Sequence, residues 1–142
     1  MGQQELIQSF TRNSNSDISI IEGVMGYYDG FGGNSNLAST HHVATLLKSP
    51  VILILDASKT SRSIAATALG FTKFHKNSRI SGIILNKIGS KKHENLCRSA
   101  LSSLKVPIIG VIPKNPSVNL ESRHLGLIPV REQKQLLSLI HI

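Results

Sequence analysis

Ile18-Ser-Ile-Ile-Glu-Gly-Val-Met-Gly-Tyr-Tyr-Asp-Gly-Phe-Gly-Gly33 is the stretch on which the reading of this chain turns. It opens with an apolar, largely β-branched run, Ile18–Ile21, of the kind that forms a buried strand. It breaks at Glu22-Gly23. Gly26, Gly30, Gly32 and Gly33 follow, with a second carboxylate at Asp29. A strand that ends in an acid and runs into a glycine-rich loop places charge at the carboxyl edge of a parallel sheet, where ligands bind in open α/β folds. Glycine lets that backbone take positive φ and approach a ligand closely. A surface loop using glycines for its turns has the same composition. Two acids seven residues apart, one of them at a strand end, favour the ligand loop.

Outward from this stretch the chain alternates. Gln3–Arg12 reads as a short helix with Leu6, Ile7 and Phe10 on one side, and Asn13–Asp17 as a polar loop. Ile18–Glu22 is the first strand. Leu37–Lys48 is a helix that Ser35 or Asn36 would cap. Pro50 introduces the strand Val51–Leu55, which ends at Asp56. Thr60–His75 is a helix, Ile80–Leu85 a strand, Ser90–Leu104 a helix, and Pro107–Ile112 a fourth strand ending at Pro113. Apolar strands alternating with helices of crossover length predict parallel βαβ units, and so an α/β fold with a doubly wound, mainly parallel sheet. Nearly continuous apolar runs predict strands covered on both faces. Asn115–Leu125 reads as a loop and Arg131–Leu139 as a helix. Residues 1–135 are expected to form one unit. Residues 136–142 end in Leu-Ser-Leu-Ile-His-Ile, which is expected to be a tail foreign to the gene; an ordinary C-terminal helix is the alternative.

Length and composition bound the function classes. With 142 residues, 40% of them hydrophobic, the chain is one domain with enough apolar side chains for a core. No apolar run approaches a membrane span and no signal peptide opens the sequence, so no membrane partner is expected. The single Cys97 cannot form an internal disulfide, which fits a reducing cytoplasm. A net charge of +8 raises nucleic acid as a partner. The lysines and arginines are scattered, however, and no aromatics are interleaved with them. No nucleic acid is therefore expected, and a small anionic ligand would use the same field.

The candidate chemistry is that of a nucleotide site. Mg²⁺ takes a few hard oxygen ligands and leaves the rest to water and phosphates. Glu22, just past a strand end, fits that demand, against the plainer role of an exposed terminal acid. Asp29 precedes Gly30, where a turn-forming Asp is common. Asp56 ends the second strand and faces the ligand edge, and a turn cap explains it equally well. Ser61-Arg62-Ser63 opens a helix, where an anion and the arginine fork would meet; helix capping with an exposed Arg is the alternative. Asn86-Lys87-Ile88-Gly89 follows the third strand and is either a base-contacting segment or a strand-end turn. The six histidines show no ligand spacing. His41 and His42 are adjacent, so on a helix they diverge by roughly 100°. No Cys-His or Ser-His-Asp arrangement supports covalent catalysis.

Glu22-Gly-Val-Met-Gly-Tyr-Tyr-Asp-Gly30 resembles the matching segment of the cobyrinic acid a,c-diamide synthase family. Asp56 with Ser61-Arg62-Ser63, Leu69-Gly-Phe71, Gly82-Ile-Ile-Leu-Asn86 and Ser122-Arg-His-Leu-Gly-Leu127 follow in the family's order, and His124 stands inside the last of these. The resemblance runs from about Glu22 to Pro129. It implies a P-loop NTPase-like fold of the dethiobiotin synthetase kind, with ATP and Mg²⁺ as co-substrate and metal. It also implies glutamine as amido donor and a tetrapyrrole as substrate: cobyrinic acid, hydrogenobyrinic acid or a nickel sirohydrochlorin. It leaves a homodimer open.

By this resemblance Glu22 and Asp29 are catalytic, with Glu22 on the metal and Asp29 near the γ-phosphate. Gly23, Asn86, Lys87 and Pro113 bind the nucleotide, and Gly26, Tyr28, Arg62 and Ser63 bind substrate. Asn86-Lys87 resembles the base-recognition segment of P-loop enzymes. Gly89 replaces the Asp that selects guanine, so Asn86 is expected at adenine. The family's phosphate loop, G-x-x-x-x-G-K-[ST], has no counterpart, because no Gly-Lys-Ser or Gly-Lys-Thr occurs in the sequence. The family carries that loop upstream and a glutamine amidotransferase domain downstream, so the chain is expected to be an internal, truncated piece of the synthetase domain. A partitioning-type P-loop ATPase shares the strand-plus-acid design, but has no need of the Glu22–Gly30 and Ser122–Leu127 segments together.

Overall fold

The computed structural model describes residues 2–115. The elements run α1 (Gln3–Asn13), α2 (Thr40–Leu46), β1 (Val51–Asp56), α3 (Ser63–Lys73), β2 (Ile80–Ile88), α4 (Lys91–Leu101) and β3 (Ile108–Pro113). The three strands form one parallel sheet in the order β1-β2-β3. The expected loop at Asn115–Leu125, the helix at Arg131–Leu139, the segment Ser122–Leu127 and the tail 136–142 lie outside the described residues, Asn115 apart.

Register divides the side chains cleanly. Leu53 pairs with Ile83 and Ile83 with Ile108; Leu55 pairs with Leu85 and Leu85 with Val111. These two rows face α3 and α4, where Ala57, Ile64, Ala68, Ile88, Cys97 and Leu101 complete the buried core. The alternate rows, Ile52–Gly82 and Ile54–Ile84–Gly110, face the other way. Register shifts between Val51 and Ile52 and between Ile83 and Ile84 slip one residue each, which lets these rows coexist with the core rows. Ile52 and Ile109 close over Gly82, where an added Cβ would meet their methyl groups at 3.1–3.2 Å.

The parallel α/β arrangement is as expected, but among the described residues only one face is covered. Ile52, Ile54, Ile109 and Ile112 are exposed. The reason is topological. A right-handed crossover places its helix on a side fixed by the direction of travel along the sheet. Both β1→β2 and β2→β3 travel the same way, so α3 and α4 land on the same face. Covering both faces needs a reversal of direction, and sequence order alone does not show one.

The stretch 18–23 is not a strand. An apolar β-branched run becomes a strand only with a partner for its backbone groups, and the described sheet ends at β1. Ile18 and Ile20 are accordingly exposed, Ile20 at 91%. Helix α2 is shorter than Leu37–Lys48. Ala38 has a left-handed φ of +63°, and Ser39, rather than Ser35 or Asn36, caps the helix by accepting the His42 N–H. Helix α1 matches its expected span but buries none of its residues.

Candidate functional site

The carboxyl edge gathers one group of the expected residues. Asp56, the last residue of β1, is the register partner of Asn86. Asn86-Lys87 does not follow its strand as expected but lies inside β2, which runs on to Ile88 through a register shift against β3. The backbone continues the pairing one residue further, since Ala57 N–H donates to the Asn86 carbonyl at 2.8 Å. Lys87 Nζ lies 2.6 Å from Asp56 Oδ2, and Ser58 N–H donates to Oδ1 at 2.8 Å. The Lys87 ammonium, and after it Ser58, hold the Asp56 carboxyl down at about 2. Lys87 lies in the left-handed region, φ +59°. Its own N–H donates to Asn86 Oδ1 at 2.9 Å, which assigns the oxygen end of the Asn86 amide to the backbone. Past β2 and β3 an open depression of about 330 Å³ is lined by Gly89, Ser90, Lys91, Glu94, Pro113 and Lys114, among others. Lys114 N–H closes its floor on the Ile88 carbonyl at 2.8 Å. Arg62 is exposed at the N-cap position of α3, and Ser63 begins that helix.

The glycine loop is not at the carboxyl edge, where an acid at a strand end is expected to put it. Ile18–Ile21 forms no strand, so nothing carries Glu22 to that edge, and the loop packs at the other one. Tyr28 stacks on Phe71 and meets the tilted ring of Phe74, with ring centroids 6.1 and 4.9 Å away, and its hydroxyl donates to the Phe71 carbonyl at 2.7 Å. Phe71 and Phe74 stand at the far end of α3, beside the start of β2. They therefore mark the amino edge of the sheet. At about 3.3 Å per residue, a six-residue strand separates the two edges by about 17 Å. His41 completes the cluster, 5.1 Å from Tyr28 and 4.5 Å from His75; burial first, then His75 and His42, push its imidazole below its ordinary value. The Tyr27 carbonyl accepts the His41 N–H at 2.9 Å. The glycine loop thus folds onto the start of α2. An added Cβ on Gly30 would collide with the Leu37 carbonyl, so only glycine fits there. Gly23 packs on Thr40, and Gly26 packs on the Asp29 carboxylate across a turn closed by Asp29 N–H to the Gly26 carbonyl at 2.9 Å.

Tyr28 therefore anchors the loop through its ring and hydroxyl. Glu22 and Asp29 are exposed. No hydrogen bond or ion pair among the described residues joins this loop to Asp56, Asn86 or Lys87. Nor does any group of three His, Cys, Asp or Glu among the described residues stand ready to hold a metal. A Mg²⁺ site is compatible with that arrangement, because this ion needs only one or two carboxylates besides phosphates and water. Glu22, exposed and outside every ion pair among the described residues, is suited to supply one.

Two contributors escaped the sequence reading. Ser58 shares Asp56 with Lys87. His93, which has no metal-ligand spacing, links the loop after β1 to the loop after β2. The one sequence signal for it is that Ser90 caps α4 with the His93 N–H three residues on, at 3.2 Å. Cys97 is buried, and burial pushes its thiol up, which suits packing and not nucleophilic work. No helix among the described residues is long and apolar enough to cross a membrane.

Comparisons with known proteins agree with this architecture. The hydrogenobyrinate a,c-diamide synthase of Streptomyces coelicolor is 51% identical over 117 residues, which is 82% of this chain and 24% of that protein. The cobyrinate a,c-diamide synthases of a Synechococcus species and of Caldanaerobacter subterraneus are 43% and 41% identical, over 88% and 96% of this chain and 27% and 30% of their own lengths. The chain thus spans about a quarter of the length of the curated relatives it matches. No solved structure matches. The family described as an AAA domain matches residues 3–122. That span takes in the whole parallel sheet and the loops of its carboxyl edge, and the chain belongs to this AAA domain family, with a P-loop NTPase-like α/β fold.

Proposed function

We propose that this chain is the nucleotide-handling part of an ATP- and glutamine-dependent amidoligase that acts on the a and c carboxylates of a corrin-type tetrapyrrole, cobyrinic or hydrogenobyrinic acid. The observation that carries the reading is the 51% identity to a protein named for that synthesis, over a segment whose carboxyl edge groups Asp56, Asn86 and Lys87 beside an open depression. The reaction is a carbon–nitrogen ligation. A substrate carboxylate oxygen attacks the γ-phosphorus of ATP and the bond to ADP breaks. The nitrogen lone pair of ammonia, released from glutamine, then attacks the acyl carbon, and phosphate leaves with the former carboxylate oxygen. Little covalent chemistry falls to the protein, which positions the groups and offsets their charge.

In this reading the adenine lies in the depression past β2 and β3, beside Asn86, Lys87 and Pro113. The Asn86 NH₂ is available to an acceptor on the base, because its Oδ1 is already held by the Lys87 N–H. Arg62 and Ser63, at the start of α3, meet anionic oxygens of phosphate or substrate. Glu22, Asp29, Gly23 and Gly26 lie on the loop that Tyr28 anchors at the amino edge. A part for Glu22 at Mg²⁺ and phosphate, and for Gly26 at the substrate, therefore requires that loop to move to the carboxyl edge in the full-length protein. A homodimer and a cytoplasmic setting belong to the same reading; the lone buried thiol of Cys97 suits a reducing compartment.

The test is product formation. The full-length protein carrying this chain, given ATP, Mg²⁺ and glutamine, should convert cobyrinic or hydrogenobyrinic acid to the a,c-diamide, read by mass spectrometry. The 142-residue chain, which holds no Gly-Lys-Ser or Gly-Lys-Thr, should form none. A full-length protein that hydrolyses ATP without amidating either acid would overturn the substrate assignment.

A further inference from the structure

We propose that His93 is a positioning residue for the nucleotide site, and that its imidazole clasps together the two loops from which that site is built. The proposal rests on the reading above that the carboxyl edge binds ATP. His93 lies in the first turn of α4 with its ring partly buried between the loop after β1 and the loop after β2. Nδ1 accepts the Gly89 N–H at 3.1 Å. Nε2 lies 2.6 Å from the Thr60 carbonyl. A carbonyl can only accept and an N–H can only donate, so a single species satisfies both contacts: the neutral imidazole with its proton on Nε2. The His93 backbone N–H is held as well, by Ser90 Oγ. Four residues on, the Cys97 thiol faces the same Thr60 carbonyl at 3.9 Å, so one face of α4 is turned to that loop.

The two clasped points are adjacent to the functional residues. Thr60 immediately precedes Ser61-Arg62-Ser63, and its hydroxyl and N–H both fold back on the Ala57 carbonyl. Gly89 follows Asn86-Lys87-Ile88. Lys87 sits at φ +59°, a conformation that persists in a non-glycine residue only when its surroundings hold it. The Gly89 N–H bond to His93 fixes the exit from β2, two residues beyond Lys87. Asn86 and Lys87 on one side, and Arg62 and Ser63 on the other, are thereby set in one frame. A rigid frame favours binding because the loops need not be ordered when the nucleotide arrives. The expected signature is therefore in ATP affinity and not in the chemical step.

The experiment uses the full-length protein with three substitutions. His93→Ala removes both bonds. His93→Asn places an acceptor near Nδ1 and keeps the Gly89 end. His93→Gln places a donor near Nε2 and keeps the Thr60 end. Backbone hydrogen exchange reads the clasp directly: the Gly89 amide should exchange at least about tenfold faster in His93→Ala and His93→Gln, and nearly as in wild type in His93→Asn. The core amides of β2 serve as the folding control and should keep their protection in all three. The KM for ATP should rise about tenfold in His93→Ala with kcat within about twofold, and by less in the two single-ended variants. Ring ¹⁵N shifts of wild type should report the Nε2–H tautomer. Unchanged Gly89 exchange, an unchanged KM despite faster Gly89 exchange, or a pure kcat loss would each overturn the proposal. A wild-type protein that neither binds nor uses ATP fails before any variant is compared, and that result removes the nucleotide reading itself.

Discussion

Placing lysine at Ile54 and Ile109 should convert this chain from a self-associating species to a monomer without unfolding it. Both residues lie on the sheet face that α3 and α4 leave open, at 59% and 55% exposure, with Ile52 and Ile112 beside them. Full burial of an isoleucine is worth about 1.5–3 kcal/mol, so each half-exposed residue leaves about 1 kcal/mol available to a partner surface. Four residues on each of two copies offer about 8 kcal/mol, inside the roughly 4–15 kcal/mol that association costs in lost freedom. The result is weak, concentration-dependent pairing. The double substitution takes two side chains from each copy, about 4 kcal/mol, or about a thousandfold in the association constant. The core rows Leu53–Ile83–Ile108 and Leu55–Leu85–Val111 are untouched, so circular dichroism should not change. Sedimentation equilibrium of the 142-residue chain, wild type against double variant, makes the measurement. A wild-type monomer at the highest concentrations, or a double variant that loses its helical signal, would show that this face is covered and that the one-sided reading of the sheet is wrong.

Asp56, held down at about 2 from an ordinary 3.8 mainly by Lys87, contributes stability that is complete above about pH 4 and is lost as the pH falls through 2. Both partners are about half exposed, which reduces the contribution to about 0.5–1 kcal/mol; urea midpoints of Asp56→Asn should therefore converge with those of wild type across that acid window, and parallel curves would refute the pairing. Tyr28→Phe, which loses the bond to the Phe71 carbonyl while Ser78 Oγ remains 3.4 Å from the same oxygen, should cost about 1 kcal/mol in denaturant, and a loss confined to substrate KM would assign Tyr28 to the ligand instead. In the full-length protein Glu22→Gln should lower kcat by on the order of 10²–10³, and normal turnover with unchanged Mg²⁺ dependence would make Glu22 structural. Asn86→Ala should raise the KM for ATP more than it lowers kcat; the opposite split would move Asn86 toward the reacting end.

The carboxyl edge was legible because it is local. The end of β1 at Asp56 and the place of Asn86-Lys87 near the end of β2 follow from runs of apolar residues and where they stop, although β2 itself continues to Ile88. In a parallel sheet all such stops fall on one edge, whatever the strand order. The cover of the sheet depends on strand order, which is not local: Val51–Leu55 reads the same whether it lies inside a sheet or at its margin. Ile18–Glu22 shows the same limit. Its composition is that of a buried strand, yet β-branching supplies only the propensity, and the hydrogen bonds must come from a neighbour. The glycine loop was legible as a place where backbone comes close to something. Its composition could not say that the something at Gly30 is the Leu37 carbonyl of the same chain. His93 was invisible for a related reason. A histidine that accepts from one loop and donates to another needs no partner at fixed spacing, since its partners are backbone groups that every sequence has. A side chain that caps its own helix, as Ser90 does, leaves a local pattern, whereas one that bonds the backbone of other loops leaves none. The residue at the carboxyl edge that only coordinates reveal is therefore His93, whose partners are the Gly89 N–H and the Thr60 carbonyl.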